Sequence, residues 1–571
     1  VSPTTAADRR ALAWLLLAAL LLLGAGIGLR DPWPSDEPRF ALVAKTMVES
    51  GDWLFPHRGS ELYADKPPML MWLQALSFQL VGHWRIAFLL PSLLAGLLTL
   101  LLVWDLGRRL FTPQAGLLAA VAVLSALMFS YQFKRAQIDP LITLLITLAN
   151  WGLLRHLLRG PDWPAFWLGC FAAGLGVITK GVGVVALLML LPYALARRQG
   201  WAGLAVTQDA GWRWAGGAAA FFGAILLWLL PMVLSALARG TPEYLGYMND
   251  ILFNQTARRY AGQVGGHAQP FWYFVPVVLL HFFPLSLAYV SGWREWRAAW
   301  SARDGRYALL LGWCALVFLF FSLAGGKREV YLLPMLPMLA LALGPTLVRI
   351  ADAAWLRRTA FAFTLALGLV LAGVGAWALQ GRWPQINQAM LERGLTEELR
   401  RVSGWLIAAG GLFLLSALVF RARRGVLALL AGLAGLWGVW GVGLSPLLND
   451  SVSSAEVMRR ADRIAGPAGE IVLVAWKEQN LLMAPRPLHD FGFRNPRAEQ
   501  FERATAWLAQ APERRWIFAG QVGVQSCVDK NRVSVVGHSN RLQWWMFQLD
   551  AVTPGCQLPD AAPKDNDGDT D

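Results

Sequence analysis

Apolar residues in this chain fall in long, nearly uncharged runs, not in the alternation of a half-buried surface. The first run, 11–29, follows Arg9 and Arg10. Others lie at 85–106, 113–130, 141–157, 166–178, 181–196, 214–234, 271–290, 308–323, 330–348, 359–379, 402–420 and 426–444. Most approach the roughly 20 residues a helix needs to cross a hydrocarbon core about 30 Å thick, so the pattern predicts about thirteen membrane spans. No small-residue cleavage signal leading into a soluble sequence follows the first run, which reads as a retained helix and not as a signal peptide.

The connections set an orientation. Arg108-Arg109, Arg155 with Arg159, Arg197-Arg198, the 293–297 segment, Arg349 with Arg357-Arg358, and the 421–424 cluster all fall on one side. Positive charge marks the cytoplasmic side, so the N-terminus is expected in the cytoplasm and the C-terminus outside. The apolar stretch 67–80 would reverse every later loop if it crossed. It is short and begins at Lys66-Pro67-Pro68, where prolines suit a helix's first turn, so it reads as interfacial or re-entrant. Around Lys180, two short runs form either a tightly paired hairpin or one long buried helix.

Beyond residue 444 the pattern changes. Segments 470–476, 515–519 and 532–536 read as strands, and 453–464 and 499–510 as helices. The expected fold is an α-helical polytopic membrane domain, 1–448, followed by a small external α/β domain, 449–558. A polar tail, 559–571, is expected to be disordered.

Composition agrees. The 571 residues are 56% apolar and 15% charged, against about 25% charged in soluble proteins. The formal net charge of +14 would suit a nucleic-acid binder, but the arginines sit between apolar runs, where topology and anionic headgroups account for them. Membrane lipids, and no nucleic acid, are the expected partners. The 29 tryptophans read as packing residues and interfacial anchors. No phosphate-binding P-loop is present, and the glycine-rich runs lack the strand-to-helix setting of a dinucleotide site. Cys170 and Cys314 lie in apolar runs as packing residues, whereas Cys527 and Cys556 both fall outside, where an oxidising compartment permits a disulfide.

Candidate chemistry gathers in the outer loops. The first carries Ser35-Asp36-Glu37-Pro38-Arg39, then Asp52, His57, Arg58, Glu61, Asp65 and Lys66; the next carries Lys134, Arg135 and Asp139. Asp36 and Asp139 can face one cavity if the flanking helices pack together. Cations such as Arg39, Lys66, Lys134 or Arg135 can hold a phosphate and stabilise it as a leaving group, while a carboxylate orients or deprotonates an acceptor. Glu37 reads as a substrate contact, a metal ligand, an arginine partner or surface charge. His57, Glu61 and Asp65 are candidate ligands of a divalent metal ion, although Pro56 breaks any simple helical stripe. Farther on, Lys327, Arg328 and Tyr331 form a second basic surface, and Arg258, Arg259 and Tyr260 offer acceptor or lipid contacts.

Several of these segments are specific. Asp36-Glu37-Pro38-Arg39-Phe40, Ser50-Gly51-Asp52-Trp53, Tyr63-Ala64-Asp65-Lys66-Pro67-Pro68, the 85–92 segment, Lys134-Arg135-Ala136-Gln137-Ile138-Asp139-Pro140, and Lys327 with Tyr331-Leu332-Leu333-Pro334 resemble the motifs of ArnT-like, protein-mannosyltransferase-related membrane glycosyltransferases. The resemblance implies a GT-C fold and a polyprenyl-phosphate sugar donor used at the outer face of a bacterial inner membrane. It implies Asp36 and Asp139 as the principal acids, and Arg39, Lys66 and Lys327, with Arg328 beside it, as donor-phosphate contacts. The sequence departs from the family at Asp65, where many relatives have Glu, and at Gly325-Gly326-Lys327, where Ser-Lys is common.

The expected activity is inverting sugar transfer from a polyprenyl phosphate to an envelope acceptor. In the ArnT branch this means 4-amino-4-deoxy-L-arabinose and a lipid A phosphate. Hexosyl transfer to another glycan, lipid or protein stays open. So does a transporter of lipid-linked substrates, which would place its charges near the membrane midplane.

Overall fold

The computed structural model describes residues 5–205, 211–254, 268–381, 384, 385, 388 and 398–559. Among these, seven helices are long and apolar enough to cross a membrane. The number is nine if each of two sharply bent pairs, Pro113–Ser125 with Leu127–Phe133 and Phe271–Leu280 with Leu285–Ser301, is one span. The expected thirteen are not confirmed, for reasons visible in the sequence. The first helix, α1 (Ala6–Gly24), opens on Asp8, Arg9 and Arg10. Helix Trp163–Lys180 ends on a lysine, and Met335–Ile350 has only 16 residues.

Around Lys180 the structure selects the hairpin. The helix stops at Gly181, which takes φ +79°, and the chain continues through a 3-10 segment, Val182–Met189, into Leu190–Arg198. The returning arm packs so closely that a Cβ on Gly176 would lie 2.8 Å from the Cα of Gly183.

Outside the bundle, helix α2 (Glu37–Ser50) begins at the acidic segment and ends at Gly51 in the left-handed conformation. A two-residue hairpin of β1 (His57–Arg58) and β2 (Glu61–Leu62) follows. Next comes α3 (Met69–Val81), a 13-residue helix entered through Pro68, short as expected of an interfacial or re-entrant element. Phe40, Val43, Ala44 and Met47 of α2 pack against Tyr63, Leu70 and Met71, and against Ile138 and Leu141 of helix Ile138–Arg159. The first and second outer loops therefore share one apolar core.

The C-terminal region forms a five-stranded sheet of β3 (Glu470–Val474), β4 (His489–Asp490), β5 (Arg515–Gly520), β6 (Ser534–Ser539) and β7 (Leu542–Phe547), in the order β4-β3-β5-β7-β6. The pairs β3–β4 and β3–β5 are parallel; β5–β7 and β6–β7 are antiparallel. Its β3 stops short of the expected 476 because Ala475 turns to φ +49°. The third expected strand, 532–536, moves to Ser534–Ser539, with an irregularity between Val535 and Gly537. Two strands, β4 and β7, were not expected; β7 is a continuous run, Leu-Gln-Trp-Trp-Met-Phe, whose period is masked because both faces are covered.

Alternation along β3 divides the domain's core. Ile471 and Leu473 face Ala41, Leu42, Phe88, Leu89 and Ala136 of the membrane domain, while Val472 and Val474 face Phe501, Ala504 and Leu508. The domain thus docks directly on α2. On its far side Cys527 and Cys556, 29 positions apart in sequence, form a disulfide with Cα atoms 5.5 Å apart. Reduction is expected to destabilise this domain by about 2–4 kcal/mol. Scanning calorimetry with and without a thiol reductant checks this, and an unshifted domain transition would contradict it.

Candidate active site

Each acidic residue of the first loop has a different task. Asp36 is the N-cap position of α2, with no side-chain capping hydrogen bond, and its carboxylate is 3.7 Å from Arg39 Nη1. Glu37 is fully buried. Arg30 grips its two oxygens at 2.5 and 2.8 Å, the Trp33 N–H donates to it at 2.8 Å and the Ala136 N–H at 2.9 Å. Burial pushes its carboxyl up, but Arg30, backed by Arg135 and the Trp33 amide, holds it below the usual range. With four donors in place, Glu37 is an anchor joining loop one to loop two.

The loop is also fastened to the last membrane helix, which passes through a π-helical turn, Val439–Leu444, into Ser445–Val452. Asp31 accepts from Arg85 at 2.6 and 3.1 Å and from Asn449 Nδ2 at 2.8 Å, and its own N–H donates to Asn449 Oδ1 at 2.8 Å. Gly26, at φ +96°, allows this approach: a Cβ there would lie 2.5 Å from the Gly441 carbonyl oxygen.

Arg39 is buried, and its Nε donates at 3.0 Å to Glu478 of the C-terminal domain. The same Glu478 oxygen lies 3.4 Å from Arg58, which is 3.6 Å from Asp65. Asp65 also pairs with Arg494. Burial raises the Asp65 carboxyl, yet Arg494, Arg58, Lys66 and Arg39 together hold it below its ordinary value. A cluster of alternating charge thus lies between the membrane and C-terminal domains, with Lys66 coupled to it.

The second loop brings Asp139 to the first turn of its helix, where it pairs with Lys180. That ammonium sits 5.0 Å over the ring of Tyr331. Asp139 lies between Ile138 and Leu141, which pack on α2, so the elements bearing Asp36 and Asp139 are in direct contact. Lys134 points elsewhere: its ammonium donates at 2.7 Å to the Leu22 and Ala25 carbonyls at the end of α1, satisfying oxygens that a helix C-terminus leaves free. Arg135 stays near Glu37, 4.0 Å away, with its guanidinium over Tyr131.

The later basic surface is divided as well. Lys327 is buried and donates to the Gln269 carbonyl at 2.8 Å, whereas Arg328 is exposed. Arg258, Arg259 and Tyr260 lie outside the described residues. Among the described residues, no three His, Cys, Asp or Glu side chains gather as metal ligands. His57, Glu61 and Asp65 therefore do not form the expected cluster. The hairpin register pairs His57 with Leu62, and Arg494 takes the two acids, its N–H at 3.2 Å from Glu61 and its side chain on Asp65.

Sequence reasoning missed Arg30, Asp31, Lys180, Glu478 and Arg494 as parts of this site. For Lys180 a signal existed, since an isolated charge between apolar runs is functional by default. Glu478 and Arg494 belong to another domain and gave none.

Residues 65–228 match the family model described as dolichyl-phosphate-mannose-protein mannosyltransferase. The undecaprenyl phosphate-alpha-4-amino-4-deoxy-L-arabinose arabinosyl transferase of Edwardsiella ictaluri is 33% identical over 338 residues, 57% of this chain and 58% of that protein. A protein of the same description from Sodalis glossinidius is 33% identical over 411 residues, 66% of this chain and 69% of its own length. In fold, the chain is similar to ArnT from Cupriavidus metallidurans bound to undecaprenyl phosphate, with a TM-score of 0.72 at 20% identity, covering 94% of this chain and 97% of that one.

Proposed function

This chain belongs to the undecaprenyl phosphate-alpha-4-amino-4-deoxy-L-arabinose arabinosyl transferase family, and from that premise we propose that it transfers a sugar, with inversion, from a polyprenyl phosphate to an envelope acceptor. The donor is an undecaprenyl-phosphate sugar, with 4-amino-4-deoxy-L-arabinose the first choice, and the acceptor is a lipid A phosphate. An acceptor oxygen attacks the anomeric carbon, the bond from that carbon to the phosphate oxygen breaks, and polyprenyl phosphate leaves with the electron pair.

The observation that carries this reading is the fastening of loop two to loop one by Glu37 through the Ala136 amide, which supports a single packed unit of the helix N-termini bearing Asp36, 3.7 Å from Arg39, and Asp139. Arg39, Lys66 and Lys327, with Arg328 outside them, serve the donor phosphate. Asp36 and Asp139 orient the acceptor and the reacting sugar. With a phosphate acceptor no proton need be removed, so their role is positioning; with a hydroxyl acceptor, one of them takes the proton.

The topology is read as thirteen crossings of a bacterial inner membrane, with a cytoplasmic N-terminus and a periplasmic C-terminal domain from about residue 449. In this reading Ala6–Gly24, Trp163–Lys180, Val182–Met189 continued by Leu190–Arg198, and Met335–Ile350 are the four further crossings. The function is tested by incubating the purified protein in lipid with polyprenyl-phosphate donors bearing aminoarabinose or hexoses, and with labelled lipid A. Mass gain on lipid A with the aminosugar donor is expected. Gain only with hexoses would move the specificity, and no gain across the panel with folded protein would refute transfer.

A further inference from the structure

A cavity of about 320 Å³ lies where three parts of the outer face meet: the β1–β2 hairpin, helix Pro242–Asn249 and Arg494 of the C-terminal domain. Its volume falls within the range of small-molecule sites. Three carboxylates line it, Glu61, Glu243 and Asp250, against the one guanidinium of Arg494. That guanidinium is already engaged, since it pairs with Asp65 and lies 3.7 Å from Asp250. Glu61 accepts the Arg494 N–H. Glu243 is exposed and makes no hydrogen bond or ion pair among the described residues. Negative charge is therefore in excess, and one carboxylate is unspent.

Tyr247, in the same wall, carries a second unused group. It is 3% exposed, its ring centroid is 5.6 Å from that of Phe55, and its hydroxyl has no hydrogen-bond partner among the described residues. Buried donors without an acceptor are few and costly. Burial, reinforced by Asp52, pushes ionisation of this hydroxyl far above its ordinary value, so it stays a donor. Surplus carboxylate repels a phosphate, and among the described residues the three acids do not gather as metal ligands. An amine-bearing ligand rich in oxygen atoms suits both unused groups. The cavity also adjoins the charge cluster: Ala64 in its wall precedes Asp65 and Lys66, and Arg494 is common to both.

We propose that this cavity receives the amino-bearing side of the donor sugar, with Glu243 accepting from the ammonium in the field of Glu61 and Asp250, and Tyr247 donating to a sugar oxygen. This rests on the transferase reading above and assigns its choice of sugar to named residues. An ammonium brings three donors and a full charge to Glu243. A neutral hydroxyl at the same carbon brings neither, so the pocket separates an aminosugar donor from a neutral one.

Three lipids offered in nanodiscs test this: undecaprenyl phosphate, its 4-amino-4-deoxy-L-arabinose ester, and its L-arabinose ester, which has a hydroxyl where the amine stood. The parent protein is expected to bind the aminosugar ester about tenfold more tightly than the arabinose ester, the scale of one hydrogen bond between charged groups. Glu243→Gln, an exposed change that keeps volume, is expected to erase this preference while undecaprenyl phosphate and the arabinose ester bind at parent levels. Tyr247→Phe is expected to weaken both esters severalfold and to leave undecaprenyl phosphate unchanged. A preference that survives in Glu243→Gln, or a parent without one, overturns the pocket and leaves transfer, read as mass gain on lipid A, standing. Equal loss of all three lipids in Glu243→Gln also overturns it, by showing a damaged fold in place of amine recognition. Esters held by Tyr247→Phe as tightly as by the parent overturn the tyrosine's part. Failure of the parent to bind any of the three overturns both readings.

Discussion

Glu37→Ala is expected to destabilise the protein by about 3–5 kcal/mol, the scale on which removal of one partner from a buried ion pair is felt. The substitution strands Arg30, which is 6% exposed, and leaves the Trp33 and Ala136 amides without their acceptor. The second loop then loses its tie to the first. A lower melting temperature and easier proteolysis of both outer loops are the readouts; parent-like values in both would show that Glu37 is not the anchor.

The same residue gives a pH dependence. Its carboxyl is held low in the folded state, so its contribution is fully present above the unfolded value, roughly 4.3, and is lost as pH falls through the lower folded value. Asp65, also held low, acts in the same direction. Acid below about pH 4 should therefore loosen the contact between the outer loops and the C-terminal domain before the apolar bundle responds.

The second large effect belongs to turnover. Asp36→Asn removes charge without removing volume, at a position that makes no capping hydrogen bond and stands 3.7 Å from Arg39. Its cost in stability should be small. Turnover is expected to fall about 100-fold or more, with expression and donor binding retained. Transfer assays paired with undecaprenyl phosphate binding separate the two, and parent-like turnover would end any essential role for Asp36. These neighbouring acids differ in their partners: Glu37 has both oxygens satisfied, whereas Asp36, proposed to face substrate, makes no capping hydrogen bond.

Adjacent residues of one motif were thus not distinguishable until their partners were known. Asp36 and Glu37 are both acids at the start of a helix, and the sequence leaves Glu37 open among substrate contact, metal ligand and ion-pair partner. Lys134 looks like Lys66 in composition and setting, yet it spends its ammonium on the carbonyl end of α1. The proposed metal group fails for a related reason. His57, Glu61 and Asp65 recur every four residues, but a β-hairpin turns between them, and Arg494 reaches in from a distant part of the chain to take two of the three.

What the sequence determined by itself was whatever depends on local pattern. Runs of apolar residues mark helices because a backbone in lipid must satisfy its own hydrogen bonds, and prolines after Lys66 mark a helix start because the first turn needs no amide donors. Motif spacing in the outer loops located the acids and bases. Tertiary structure alone decided which charges meet. The Arg39–Glu478 pair joins residues 439 positions apart, and a contact of that range leaves no periodicity along the chain. Where the helices bend and break, as at Gly181, was likewise decided by the structure, because composition averages such breaks away. The acidic loop was legible as a candidate site; that its charges pair with a domain at the other end of the chain was not.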